Sequence, residues 1–358
     1  MDAIKDFFNF FADPRVFFLL TLTGFILMIW RRDVFTTPRV GYGLQVFLVL
    51  FFGLGLFDEN FRLIVAKPDN VPIVGLVFLL LFFTWYSMRQ AVLNDRRLDR
   101  GEPVEEKVEE DRVWVWPDLV YTELICLILC SVVLIVWSIV LKAPLEQPAN
   151  AAATPNPSKA PWYFLGLQEM LVYFDPWLAG VVLPTLIIVG LMAIPYIDTN
   201  PKGSGYYTFK ERKAEISIFI FGFVVLWASL IVLGTFLRGP NWNFFGPFEY
   251  WDIHKLEALT NVNLSEYIWL QGVGVGLPSN WFVREFFGIV LLLLYIVALP
   301  VILARGVLKT YYEKLGPPRY CVGIFLFLMM LSLPMKMLAR WLFNLKYIVA
   351  IPEFFFNI

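Results

Sequence analysis

The residues of this sequence that are best suited to chemistry are a short aromatic run and one acid that follows it. Pro161, Trp162, Tyr163 and Phe164 stand together, and Glu169 follows Trp162 by seven residues. Seven residues are about two turns of a helix, so Trp162 and Glu169 are expected on one helix face. Aromatic side chains shape an apolar pocket at a low cost in entropy, and the Tyr163 hydroxyl adds a polar group. A carboxyl beside such a pocket suits the uptake of a proton.

This aromatic run lies in a polar, proline-rich loop between two strongly apolar segments. The loop is entered through residues 142–148 and left through residues 175–177. Trp and Tyr are enriched at every membrane–water interface, so an interfacial belt is the alternative for the aromatic side chains. The alternative for Glu169 is a solvated surface side chain.

The composition indicates a polytopic membrane protein. Of the 358 residues, 59% are hydrophobic and only 16% are charged, whereas soluble domains average about 25% charged residues. Long uncharged runs recur along the whole chain, which excludes a soluble domain with a single anchor. The net charge of −1 gives no reason to expect nucleic acid as a partner.

Eight apolar segments predict an all-α integral membrane protein with about eight transmembrane helices, because backbone groups in lipid must be satisfied within the helix. The first two are short, and Phe10 and Phe11 are expected to extend the first. The segments are 16–30, 42–57, 71–88, 118–141, 176–196, 216–237, 286–304 and 322–339.

The distribution of Lys and Arg predicts the orientation of these helices. The loops that fall on one side carry 17 of the 29 Lys and Arg residues, so this side is predicted to be cytoplasmic. The aromatic run then lies on the opposite, electropositive side. The loops on the predicted cytoplasmic side are 31–41, 89–117, 197–215 and 305–321.

The same pattern predicts three parts in the chain. Residues 1–88 form a three-span N-terminal block, and residues 89–113 form a charged cytoplasmic linker, expected to be a solvated helix or tether. Residues 114–358 form a five-span block with an aromatic loop at 238–285 and an interfacial tail from residue 341.

The three cysteines offer no redox or metal chemistry. No haem-attachment pattern and no thiol–metal spacing occurs, so no metal site is expected. The cysteines lie in or beside apolar runs and are expected to be small buried hydrophobes: Cys126, Cys130 and Cys321.

Residues 116–237 resemble the C-terminal half of cytochrome b, which is a separate chain, subunit IV, in chloroplast-type cytochrome bf complexes. Pro117 and Asp118 open the fourth segment as in that family, and residues 194–198 match the end of the fifth helix. Residues 160–163 are Ala-Pro-Trp-Tyr where the family signature is Pro-Glu-Trp-Tyr, so Pro161 occupies the position of the family glutamate. The first three spans and the last match nothing in the family, and the chain looks like an enlarged version.

The resemblance implies a membrane subunit of a quinol:cytochrome c-type oxidoreductase, a cytochrome bc complex in a bacterial inner (plasma) membrane. In such complexes quinol oxidation releases two protons and two electrons, one electron to a Rieske iron–sulfur protein and one to a low-potential haem b. The implied partners are a haem-bearing cytochrome b N-terminal-half chain, the Rieske protein and a c-type cytochrome, with menaquinone or ubiquinone as the quinone. The implied pocket residues are Pro161, Trp162, Tyr163 and Phe164.

Two acids are candidates for quinone chemistry. Glu169 is the hypothesised replacement for the missing family acid, with Tyr163 as the second catalytic residue. Glu123 is the only acid well inside an apolar segment, apart from those at span ends, and intramembrane acids are functional candidates. Thr122 and Glu123 stand where mitochondrial-type cytochrome b has a Lys-Asp pair at its quinone-reduction site. The alternative for Glu123 is an acid that reaches the headgroup region.

The single histidine, His254, excludes haem ligation by this chain alone, since the family uses four histidines. Haem b is therefore expected on the partner chain, and His254 is expected to be a surface residue of the 238–285 loop. This loop is predicted to cap the pocket or to dock a partner, and a shallow interfacial helix is the alternative.

Two other function classes compete with quinol oxidation. A transporter or channel is disfavoured because the spans carry almost no charge to line a polar path. A non-catalytic scaffold subunit of a respiratory or photosynthetic complex stays open because Pro161 cannot take up a proton.

Overall fold

The computed structural model describes residues 2–108, 113–143, 145, 148–200 and 207–358, and it confirms an all-α protein with one small hairpin. The helices are α1 (Asp2–Phe11), α2 (Pro14–Trp30), α3 (Arg32–Phe35), α4 (Pro38–Gly55), α5 (Glu59–Val65), α6 (Val71–Asp99), α7 (Glu105–Val108), α8 (Val115–Val140), α9 (Trp162–Met170), α10 (Leu178–Ile197), α11 (Lys213–Leu237), α12 (Leu264–Glu266, continued by Tyr267–Val273), α13 (Trp281–Arg305), α14 (Lys309–Leu315) and α15 (Pro317–Phe343). Single 3₁₀ turns occur at Pro240–Trp242 and Pro352–Phe354, and β1 (Ala350–Ile351) pairs antiparallel with β2 (Phe356–Asn357).

The predicted number of spans is confirmed. Seven of the described helices are long and apolar enough to cross a membrane, and the pair α1 and α2 adds an eighth across a bend of 71°. Phe10 and Phe11, which were expected to extend the first span, lie in α1 and reach that span only across the bend. Pro14, at the start of α2, has no N–H that could donate a helical hydrogen bond, so α1 does not continue through it. The Asp13 side chain caps α2 by accepting from the Arg15 N–H at 2.9 Å.

The loops gather at two ends, as alternating spans require. At one end Asp33 pairs with Arg96 at 3.2 Å, and Asp99 pairs with Lys210 at 2.6 Å, which brings together the three loops 31–41, 89–117 and 197–215. At the other end the N-terminal Asn9 accepts from the Phe248 N–H at 3.0 Å. The C-terminal Asn357 bonds there to Asp175 at 3.0 Å. Which end faces the cytoplasm stays a prediction.

The predicted linker begins inside a continuous helix, since α6 runs on to Asp99. Asn94 is fully buried there and accepts the Glu105 N–H at 3.0 Å. Asp95 accepts the Lys210 N–H at 3.1 Å. The helix end is therefore docked rather than solvated. Residues 109–112 of the linker lie outside the described residues, and the division into three parts stays a prediction.

The main hydrophobic core lies where α9 and the turn after it pack against α11. Tyr173 and Phe174 follow α9 and are almost fully buried, as are Leu230 and Leu233 of α11. Gly234 of α11 lets the helices approach closely, because a Cβ there would lie 2.9 Å from the Leu165 side chain. Helix α9, which carries the aromatic run, therefore packs directly against the membrane-spanning helix α11.

Helix α8 is exposed along its length. In its most apolar window no residue is buried, so its surface is free for lipid or for another chain. Cys126 and Cys130 are exposed on α8, with their sulfur atoms 4.0 Å apart, and Cys321 is also exposed. The expectation of buried cysteines is therefore wrong, and for Cys126 and Cys130 the reason is that no other described helix covers α8.

Candidate functional site

The loop that leads into α9 is fixed to the helix that follows it. Pro161 is the N-cap residue of α9, and the Phe164 N–H donates to its carbonyl at 2.9 Å. The Gln168 amide reaches back along the helix, accepts from the Ala160 N–H and donates to the Ser158 carbonyl, both at 2.8 Å. The aromatic run therefore lies at the start of a helix whose preceding loop is held in place by hydrogen bonds.

The aromatic side chains of the run point away from the core. Trp162, Tyr163 and Phe164 are 42%, 50% and 51% exposed, while Leu165 and Gly166 are buried against α11. The Trp162 and Tyr163 rings meet edge to face at 5.8 Å, and the Tyr163 and Phe164 rings are 4.7 Å apart. Among the described residues, the Tyr163 hydroxyl has no hydrogen-bond partner. The run forms an exposed aromatic surface, available to a ligand, to lipid or to a partner chain.

Glu169 is completely buried on the same helix and bonds to three side chains. Arg238 donates from Nε to Oε2 at 2.9 Å and from Nη2 to Oε1 at 2.7 Å. The Tyr173 hydroxyl donates to Oε1 at 3.1 Å, and the Trp242 indole N–H donates to Oε2 at 3.2 Å. Burial raises the pKa of Tyr173 well above its ordinary value, which keeps this hydroxyl protonated as a donor.

The Glu169 carboxylate has no free acceptor position for a further ligand. Each oxygen accepts two hydrogen bonds, which fills the roughly four acceptor sites of a carboxylate. The alternative of a solvated Glu169 is wrong, because its neighbours enclose it. Trp162 and Glu169 do share one helix, yet only Trp162 is exposed. The arrangement is a buried, charge-assisted clamp between α9 and the residues that follow α11.

The aromatic loop packs back onto this clamp and onto the N-terminal helices. The Arg238 guanidinium lies 3.6 Å from the Phe244 ring centroid. Phe248 stacks on Phe61 of α5, with ring centroids 5.0 Å apart and planes at 17°. The Asn60 amide donates to the Phe248 carbonyl at 3.3 Å. The loop therefore links the first spans to α9. Helical structure within residues 238–285 consists of the single turn Pro240–Trp242, α12 and the first residues of α13.

A lysine beside the aromatic run was missed by the sequence analysis. Lys159, two residues before Pro161, donates from Nζ to the Thr235 carbonyl at 2.8 Å. The same ammonium group lies 4.7 Å from the ring centroid of Trp251. Burial, with a smaller contribution from the nearby Lys67 charge, lowers the pKa of Lys159 to about 7. The available signal was its position directly before the signature, as the only charged residue between Glu146 and Glu169.

The structure does not bring Glu123 to the other candidate residues. Glu123 lies in α8, nearer the end that follows the 89–117 loop, whereas the aromatic run lies at the opposite end. Its side chain is exposed and has no hydrogen bond or ion pair within the described residues. It faces lipid or a partner chain.

The single histidine of this chain is a surface residue. His254 is exposed, and only its backbone N–H is engaged, with Asp252 at 2.9 Å. Within the described ranges, no group of three His, Cys, Asp or Glu side chains is placed to hold a metal ion. Axial ligation of haem by this chain alone therefore has no structural basis.

One family model matches the chain, at residues 148–246, and is described as cytochrome b(C-terminal)/b6/petD. The match takes in α9, α10, α11 and the start of the aromatic loop, which contain the clamp and the aromatic run. It confirms the resemblance to the C-terminal half of cytochrome b for this segment. The first eight helices and everything after residue 246 lie outside it. No solved structure matches the chain.

Proposed function

We propose, on the premise that residues 148–246 are a cytochrome b C-terminal (b6/petD-type) segment, that this chain helps to form the quinol-oxidation site of a cytochrome bc complex. The family match supports the broader statement that this chain is a cytochrome b/b6-type membrane subunit of a bc-type redox complex. The finer proposal is a quinol:cytochrome c oxidoreductase in which this chain has no activity alone.

The observation that carries the proposal is the exposed aromatic surface on a rigid support. Three large aromatic side chains, Trp162, Tyr163 and Phe164, lie open at the start of α9. The Gln168 bonds and the buried Glu169 clamp hold that helix in place. Binding sites need such preorganised apolar walls with few polar groups. A quinone ring stacked there would meet the free Tyr163 hydroxyl.

The aromatic run lacks the proton acceptor of the family, because Pro161 replaces the family acid. For Glu169 to act, it must release a hydrogen bond from Arg238, Tyr173 or Trp242. The role therefore stays a hypothesis, tested by quinol oxidation in Glu169→Gln, which keeps the shape of the side chain. A wild-type rate and pH profile in that variant would exclude Glu169 as the acceptor.

The proposed partners are those that the resemblance implies. They are a haem-bearing cytochrome b N-terminal-half chain, a Rieske iron–sulfur protein and a c-type cytochrome, in a bacterial inner membrane. The haem b groups belong to the partner chain, because a single exposed histidine cannot supply paired axial ligands. The bare surface of α8 is a candidate face for that partner. Menaquinone or ubiquinone is the proposed quinone.

Glu123 is proposed for the quinone-reduction site, which lies at the opposite end from quinol oxidation. An exposed acid on a membrane helix that has no partner among the described residues is expected to find one on another chain or on a ligand. Glu123→Gln should slow quinone reduction and leave the initial rate of quinol oxidation unchanged. Equal quinone reduction in Glu123→Gln and wild type would assign Glu123 to the headgroup region instead.

A non-catalytic scaffold is the second candidate, and the filled acceptor sites of Glu169 favour it. Purification of the complex through this chain separates the two. Catalysis predicts co-purification with a b-type haem spectrum and a Rieske protein, and a quinol oxidation rate that falls in Tyr163→Phe. The matched control is Tyr196→Phe, an exposed tyrosine at the far end of α10. Equal rates in both variants would favour the scaffold, and a colourless chain purified alone would end the proposal.

A further inference from the structure

Two buried polar atoms without partners lie beside Lys159. Within the described residues, only three buried side-chain atoms lack a hydrogen bond, and two of them are Thr235 Oγ1 and Trp251 Nε1. Both belong to residues that the Lys159 ammonium group contacts, at 2.8 Å to the Thr235 carbonyl and 4.7 Å to the Trp251 ring centroid. Buried polar groups are almost always paired. Two exceptions around one lysine indicate a site built for a polar ligand.

We propose that Lys159 Nζ, Thr235 Oγ1 and Trp251 Nε1 form a binding site for a hydroxyl group, and that the neutral Lys159 amine accepts its proton. This inference rests on the proposed quinol oxidation and names its proton acceptor. The three groups suit one oxygen: an indole N–H donates to it, a threonine hydroxyl donates or accepts, and an uncharged amine accepts its hydrogen. The ligand is the quinol hydroxyl itself or a water molecule hydrogen-bonded to it.

The proposed step moves one proton and no electrons. The O–H bond of the quinol breaks, a new N–H bond forms on Lys159, and the products are the quinol anion and an ammonium group. The quinol anion then loses two electrons to the one-electron acceptors proposed on the partner chains, of iron–sulfur and haem type, and its second proton passes to water. The ammonium group returns its proton to the aqueous side.

The position of Lys159 fits this step. Its backbone is held beside the aromatic run, because Gln168 bonds to the residues on either side of it, Ser158 and Ala160. Its side chain turns toward α11 and the aromatic loop. Lys67 and Asp69, whose side chains are 44% and 48% exposed, lie within electrostatic range and mark the direction of solvent.

Four charged residues act on the Lys159 side chain. Lys67 and Arg238 disfavour the ammonium form, whereas Asp69 and Glu169 favour it, and burial is the largest influence. The pKa of Lys159 is about 7 as a result. An amine with a pKa near the working pH is uncharged often enough to accept a proton.

The test uses the purified complex, with quinol oxidation measured against pH. In wild type the rate should rise with pH through about 7, as the amine loses its charge. Lys159→Met and Lys159→Arg should both lose this rise, and the rate should fall by about 10² or more, as for other acid–base groups. Lys67→Met should move the rise to higher pH, because it removes a neighbouring positive charge. Lys309→Met, an exposed lysine on α14, should match wild type.

The Michaelis constant distinguishes the two possible ligands. A raised KM in Lys159→Met supports direct contact with the quinol hydroxyl, and an unchanged KM with a lower kcat supports a bridging water. If both Lys159 variants keep the wild-type rate and pH rise, the inference is overturned while quinol oxidation stands. A wild-type complex that does not oxidise quinol would instead remove the proposed function and this inference together.

A second variant keeps the test decisive if the lysine variants do not assemble. Thr235→Val preserves shape and removes a hydroxyl that has no partner in the described chain, so assembly should be unaffected. Its rate should fall relative to wild type. An unchanged rate and pH profile in Thr235→Val would overturn the inference.

Discussion

Arg238 donates two hydrogen bonds to Glu169, at 2.9 and 2.7 Å, and both side chains are almost entirely buried. The pair joins α9 to the residue that directly follows α11. It therefore fixes the orientation of the helix that carries the aromatic run. This positioning role is separate from any transfer of a proton.

Removing the arginine should leave an uncompensated buried carboxylate. Arg238→Met is expected to destabilise the chain by about 3–5 kcal/mol, the usual effect of breaking a buried ion pair. The matched control is Arg96→Met, whose partner Asp33 is 66% exposed. This surface pair should contribute about 0–1 kcal/mol. Thermal unfolding in detergent measures both.

A double variant tests whether the charges act as a pair. Glu169→Gln combined with Arg238→Met should lose less stability than the two single changes added together, because neither charge is then left unpaired. Strict additivity would contradict the clamp, and so would an effect of Arg238→Met no larger than that of Arg96→Met.

The C-terminal tail depends on a glycine in α13. A Cβ on Gly288 would lie 2.1 Å from the Ile348 carbonyl oxygen, so the backbone of the tail has to move. Gly288→Ala should destabilise the protein by about 1–3 kcal/mol, the range for overpacking. Residues 344–358 should also become more accessible to protease. The control Gly75→Ala has no atom within 4 Å of the added methyl group and should leave the tail protected.

The buried Lys159 also predicts a pH dependence of stability. Its pKa is lowered from 10.5 to about 7, so the unfolded chain binds more protons than the folded chain between these values. Stability should therefore rise with pH across this window, whereas below it Lys159 should add no pH dependence and its buried charge should destabilise the fold most. Unfolding midpoints of wild type and Lys159→Met, compared across the window, measure the difference. Parallel curves would contradict a buried amine.

The spans were predictable from the sequence because each depends only on a local run of apolar residues. The burial of Glu169 was not predictable, because Arg238 lies 69 positions further along the chain. The two unpaired atoms at Lys159 come from Thr235 and Trp251, which only tertiary packing brings there. The exposure of Cys126 on α8 was not predictable either, although the apolar run around it is local in the sequence. An apolar helix has the same sequence pattern whether its partner belongs to its own chain or to another.

The aromatic loop is predicted to hold the N-terminal spans to α9 through Phe248. Its ring stacks on Phe61, and Asn9 and Asn60 bond to its backbone. Phe248→Ala should lower stability by about 1–3 kcal/mol, because it removes a largely packed aromatic ring. Tyr250→Ala is the control, since Tyr250 is 74% exposed two residues away.

The same pair of variants tests whether the loop also caps a quinol pocket. A loosened loop should raise the KM for quinol in Phe248→Ala, because the clamp residue Trp242 belongs to the same loop and contacts Glu169 at 3.2 Å. Limited proteolysis within residues 249–262 reports the loosening itself. Faster cleavage with an unchanged KM would restrict the loop to a structural role. Faster cleavage with a raised KM, absent from Tyr250→Ala, would support a cap over the exposed aromatic surface.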